Sequence, residues 1–99
     1  MTGYSIIVLD DARLEREQAK ERYDEQEEGL WLVFSDQLTS TLKLIELFPL
    51  LYPEKRHPLR EALLNQFPFL IIYQIKSQDT ILIHSIFHIK QHPNKKLPS

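Results

Sequence analysis

The 99 residues are enough for one compact domain and too few for two, and with 42% apolar and 26% charged residues a packed core is affordable. The absence of cysteine excludes a disulfide framework and a thiolate metal site, and makes the cytoplasm the default compartment. The formal charge of −2 conceals a division: residues 1–48 carry eleven acids and five bases (−6), residues 49–99 three acids and seven bases (+4). All four histidines fall in the second half. A basic half suits phosphates or an acidic protein partner, and equally a solvated face.

In chain order, Tyr4-Ser-Ile-Ile-Val-Leu9 is short and β-branched, and reads as a strand. It is too short for a signal peptide and runs directly into Asp10 and Asp11. No stretch approaches the ~20 apolar residues that span a bilayer, so no membrane role is expected. Asp10 or Asp11 suits a helix N-cap. Residues 11–27 lack Gly and Pro and predict a first helix with a narrow buried stripe of Ala12, Ala19 and Tyr23. Gly29 breaks it. Residues 30–48 predict a second helix, with Leu30, Val33, Phe34, Leu38, Leu42, Ile45 and Phe48 on one apolar face and Pro49 as its stop. The short link predicts an antiparallel helical hairpin.

Pro49, Pro53 and Pro58 mark a loop. Three strand-like runs follow, over residues 59–66, 67–76 and 80–89, with a hairpin turn at Ser77-Gln-Asp79. The last ten residues, from Lys90, read as a flexible polar tail. The expected fold is α+β: a strand, a helical hairpin, then a three-stranded antiparallel meander (β-α-α-β-β-β) in a single domain of residues 1–99. One sheet face is expected under the helices, and the other open as a working surface.

The ordered set of pieces resembles the RelE/ParE toxins of bacterial type II toxin–antitoxin systems. Leu9-Asp-Asp-Ala-Arg13 and Tyr23-Asp-Glu-Gln26 before Gly29-Leu30 resemble the family's hairpin. Arg60 followed by Phe67-Pro-Phe69 and an apolar strand resembles its Arg, Phe-Pro-Tyr and strand. Ile86-Phe-His88, Lys90 and Pro93 resemble its closing strand and basic end. Gln91 stands where the family usually has Arg. The resemblance implies a growth inhibitor held inactive by a cognate antitoxin, whose own DNA-binding part would carry the pair to promoter DNA. It implies no cofactor and no metal.

Two mechanisms occur in that family: cleavage of messenger RNA on the ribosome by a metal-independent endoribonuclease, the activity expected here, and, as the alternative, inhibition of DNA gyrase by binding without catalysis. A folded, non-toxic relative is a further alternative, and an adaptor domain docking through the off-stripe Leu32 and Leu47 another. Cleavage needs an acid–base pair and cations around the phosphorane. The resemblance supplies Arg60 as the phosphate-holding cation, His88 as acid or base, and Lys90 as added charge, while His92 is a candidate for a lost tail residue. Arg60 and His88 are expected on one open face. Gyrase inhibition needs only an exposed surface, which the acidic hairpin favours. A metal site from His84, His88 and His92 is disfavoured, because residues four apart on a strand are separated by ~13 Å.

Overall fold

In the computed structural model, which describes residues 3–90, the element order is β1 (Ser5–Val8), α1 (Asp10–Gln26), α2 (Leu30–Leu47), β2 (Glu54–Arg56), β3 (Leu59–Leu63), β4 (Phe69–Ser77) and β5 (Thr80–His88). The expected tail lies outside the described residues from position 91 onward. Both helices and the four longer strands fall where the sequence places them, within a few residues at each end.

The sheet has the order β1-β5-β4-β3-β2. The expected meander is present as β3-β4-β5, each pair antiparallel, and β2 extends it by one short hairpin turn. β1 joins the far edge in parallel with β5, with Ser5 opposite Thr80 and Val8 opposite Ile83. The sheet is therefore mixed. A parallel neighbour requires a crossover, and the helical hairpin supplies it across one face. Residues 49–58 were expected to be loop throughout, but Glu54–Arg56 forms a strand. Its three residues are all exposed, so no apolar alternation marks it, and pairing with β3 is what holds it.

β4 sets the layering. Phe69, Leu70, Ile71, Ile72 and Tyr73 are all buried, so both faces of this strand are covered or packed. Phe69, Ile71 and Tyr73 face the helices and join Ile81, Ile83 and Ile86 of β5 in the main core. Leu70, Ile72 and Phe87 form a smaller cluster on the other face, with Leu59 and Ile89 against it. The face expected to be open thus has a buried apolar centre.

The helices bury narrow stripes. α1 presents Ala12, Glu15, Ala19 and Tyr23, and α2 presents Phe34, Leu38, Thr41 and Ile45. Val33 and Phe48, expected on the buried face, are 49% and 57% exposed. The packed stripe of α2 is one residue wide at 34-38-41-45, and those two positions fall beside it. Tyr23 and Phe34 meet at 5.3 Å between ring centroids and hold the hairpin shut, with Trp31 against Phe34 at 5.5 Å.

The start of α1 also departs from expectation. Leu9, not an aspartate, is the N-cap, and no side chain caps it. The Leu9 N–H donates to the Ile83 carbonyl at 3.0 Å, and its own carbonyl accepts from Arg13 N–H at 3.0 Å. The chain passes from ladder to helix within one residue. Asp10 and Asp11 sit in the first turn, against the positive end of the helix dipole. Among the described residues, no helix is long and apolar enough to cross a membrane.

Gly29 joins the helices at φ +84°, in the left-handed region. A Cβ there would meet nothing within 4 Å, so the cost of adding one is purely conformational. Gly29→Ala is expected to lose about 1 kcal/mol, lowering Tm by roughly 4–8 °C in a domain of this size. A thermal melt followed by circular dichroism measures it.

Candidate functional site

β1 has four residues against the nine of β5, so its ladder ends at Ile83. Beyond that point α1 takes over the edge. Glu15 reaches down from the buried stripe of α1, and its Oε1 accepts from the Ser85 hydroxyl at 2.8 Å and from Ile86 N–H at 2.9 Å. A carboxylate here replaces the missing strand as acceptor for a backbone donor that would otherwise be stranded. Glu15 is 92% buried in consequence, its exposure being 8%. Glu15 is absent from the stripe that the sequence predicts, and the signal for it is spacing alone, since 12-15-19-23 is a regular helical stripe.

Between α1 and the end of β5 lies an open cleft of about 690 Å³, with Phe69, Ile86 and His88 on the sheet side and Glu15, Glu21, Arg22 and Glu25 on the helix side. His88 is the last residue of β5, half-buried, and stands edge-on to Phe69 at 5.0 Å between ring centroids. Lys90 is exposed in the turn that follows. His92 lies outside the described residues.

Arg60 occupies a different place. On β3 it stands opposite Tyr73 of β4, under the loop that leaves α2. Its Nη1 donates to the Tyr52 carbonyl at 2.6 Å, and Nη2 lies 3.8 Å from Glu54 Oε2. Its side chain is 15% exposed. Tyr73, fully buried beside it, donates its hydroxyl to the Pro49 carbonyl at 2.7 Å, and Tyr52 packs edge-on against the Tyr73 ring. Burial pushes the Tyr73 phenol up to about 12. Together Arg60 and Tyr73 fasten residues 49–52 to the sheet.

The expectation that Arg60 and His88 lie on one open face holds for the shared face and not for its openness. They share a face, because Tyr73 and Phe69, their partners on β4, both point at the helices. That face is covered. Four residues along β4 and two strand steps separate them, about 16 Å between Cα atoms for a rise of ~3.3 Å and a spacing of ~4.8 Å. His84 is apart from both. A bulge at β5, where Ile72 pairs with Ser85 and Tyr73 with Ile83, turns it to the opposite face. There its Nε2 meets Gln74 Oε1 at 2.8 Å. Among the described residues no group of three His, Cys, Asp or Glu side chains is placed to hold a metal ion.

No family model and no curated protein matches this chain. Solved structures do: a chain of the chromosomal ParDE TA (toxin–antitoxin) system from P. aeruginosa superposes with a TM-score of 0.73 at 17% identity. The match covers 86% of this chain and 95% of that one. The fold is of the RelE/ParE type. The order of strand, helical hairpin and sheet read from the sequence is borne out, and at this identity the likeness is one of fold.

On this RelE/ParE fold the two polar clusters have distinct structural duties, which substitution separates. Glu15→Ala leaves Ile86 N–H without its acceptor and is expected to cost about 1–3 kcal/mol, whereas Glu15→Gln keeps a carbonyl oxygen there and loses less. Urea titration of both variants ranks them. Tyr73→Phe tests the other cluster through pH. A phenol whose folded pKa of about 12 exceeds the ordinary value of 10.0 stabilises the fold below pH 10, and that stability drains away between pH 10 and 12. The parent should lose stability over that interval, and Tyr73→Phe should lose markedly less.

Proposed function

We propose that this chain is the toxin of a toxin–antitoxin pair, and that it arrests growth by binding its target without cutting RNA. The target that the family resemblance supplies is DNA gyrase. The observation carrying this reading is the distance between Arg60 and His88, with Arg60 committed to the Tyr52 carbonyl and to Glu54. A nuclease needs its cation and its acid–base group around one phosphate, within hydrogen-bonding reach. Here the covered core lies between them. The cleft at His88 is also walled by Glu15, Glu21 and Glu25, whose charges repel a phosphate. A binding toxin needs no such constellation.

The protein would act in the cytoplasm, under control of a cognate antitoxin that folds against it and carries any promoter-DNA contact. Cleavage of messenger RNA on the ribosome is the second reading. What favours it is a cleft that an imidazole, His88, and a guanidinium, Arg22, line from opposite walls.

Expression of the chain alone is expected to stop growth. His88→Ala and Lys90→Ala should stop it equally well, gyrase supercoiling should fall in the presence of the purified protein, and messages in a ribosome-containing extract should stay intact. Cut messages that His88→Ala leaves whole would establish the nuclease instead. Unimpaired growth would remove the toxin reading altogether and leave the folded, non-toxic relative.

A further inference from the structure

The hairpin buries one narrow stripe of α2, yet α2 and the turn after it hold more apolar residues than that stripe can use. Leu44, Leu47, Phe48 and Leu51 recur at i, i+3, i+4 and i+7, and Leu50 adjoins them. They are 41%, 54%, 57%, 58% and, for Leu50, 71% exposed. Leu51 N–H donates to the Phe48 carbonyl at 2.9 Å, so the residues after the helix form an ordered turn that carries further exposed apolar side chains. Five large apolar side chains are thus exposed within eight residues of chain, a concentration that marks interaction surfaces more than lone soluble faces.

We infer that this face joins two copies of the chain in a twofold dimer. The argument is one of charge and area. A twofold interface sets a patch against itself, so its rim must not repel its own copy. The rim here is Lys43 and Glu46, paired with each other at 3.4 Å and together neutral. Other surfaces fail that condition. α1 carries seven acids and four bases, −3 in all, and would repel itself. The β2 hairpin exposes Lys55 and Arg56 against Glu54, +1 in all, a weaker repulsion of its own copy. A neutral rim likewise gives an acidic or a basic partner no charge to select. Dimers of ordinary size bury about 800 Å² a side, so the patch supplies the apolar centre and leaves the polar rim to complete it. The predicted dimer is modest in size and is held by leucine and phenylalanine side chains. It does not depend on the toxin reading.

Sedimentation equilibrium of the purified chain over micromolar to millimolar concentration tests this. The mass should rise from 11.8 kDa toward twice that value as concentration increases. Leu47→Glu places a charge at the centre of the patch and should weaken association at least about tenfold. Leu32→Glu, on the same helix, 66% exposed and off the stripe, should leave association unchanged. Both positions are exposed in the single chain, so both variants should keep the parent circular dichroism spectrum. The chain has no cysteine, which permits an independent reading: Leu47→Cys should form a disulfide between copies on mild oxidation, and Leu14→Cys on α1 should not. A mass fixed at 11.8 kDa throughout the range, or a dimer that Leu47→Glu leaves intact, overturns the inference and frees the face for a different protein.

Discussion

β4 is the strand on which the rest of the structure depends. Five successive residues, from Phe69 to Tyr73, are buried, and a strand buried on both faces has to lie inside a sheet with neighbours on both sides. β3 and β5 take those places in antiparallel register. The helical hairpin must then cover whichever face carries Phe69, Ile71 and Tyr73, since their rings and branches need partners as large as Phe34 and Tyr23. What remains for β1 is the outer edge of β5, reached by the crossover through both helices. Once β4 is central, strand order and layer order leave little freedom.

That arrangement bears directly on the functional groups. Arg60 and His88 are drawn to the helix side because they pair with Tyr73 and Phe69. A guanidinium in a face closed by α2 and its following turn has to satisfy its donors locally, and the Tyr52 carbonyl and the Glu54 carboxylate do so. An arginine so placed ties a loop to a sheet. His88 escapes full burial because it is the terminal residue of β5, and it borders a cleft whose helix wall is acidic. The same architecture that pairs both residues with β4 also sets them four residues and two strands apart.

The elements were legible in the sequence because each carries a period. Residues 67–76 alternate, residues 30–48 repeat at helical spacing, and Gly29 and Pro49 punctuate them. β2 was not legible: Glu54-Lys-Arg56 has no apolar alternation, and its strand conformation comes from the neighbouring β3. The aspartate cap failed for a related reason. Leu9 is already held by the Ile83 carbonyl, and ladder pairing with a distant strand outranked a local capping preference. Glu15 was hidden by its residue type. A glutamate within a buried helical stripe reads as solvated until the shortness of β1 exposes a backbone donor that needs it. The site suffered most, because which face an arginine shares with a histidine depends on register and on the bulge at His84, and neither is written in a residue pattern.

The outward leucines of α2 follow from the same packing. A helix lying over a sheet buries one stripe, here Phe34, Leu38, Thr41 and Ile45, and its apolar excess has to emerge on a neighbouring flank. Toward the N-terminal end the excess is scattered, with Leu32 and Val33 beside exposed polar residues. Toward the C-terminal end it condenses, because the chain turns at Pro49 and adds Leu50 and Leu51 to Leu44, Leu47 and Phe48. Fastening that turn is the work of Tyr73 and Arg60, through the Pro49 and Tyr52 carbonyls. Arg60, a candidate site residue by its sequence pattern, thus helps to hold in place an exposed apolar surface.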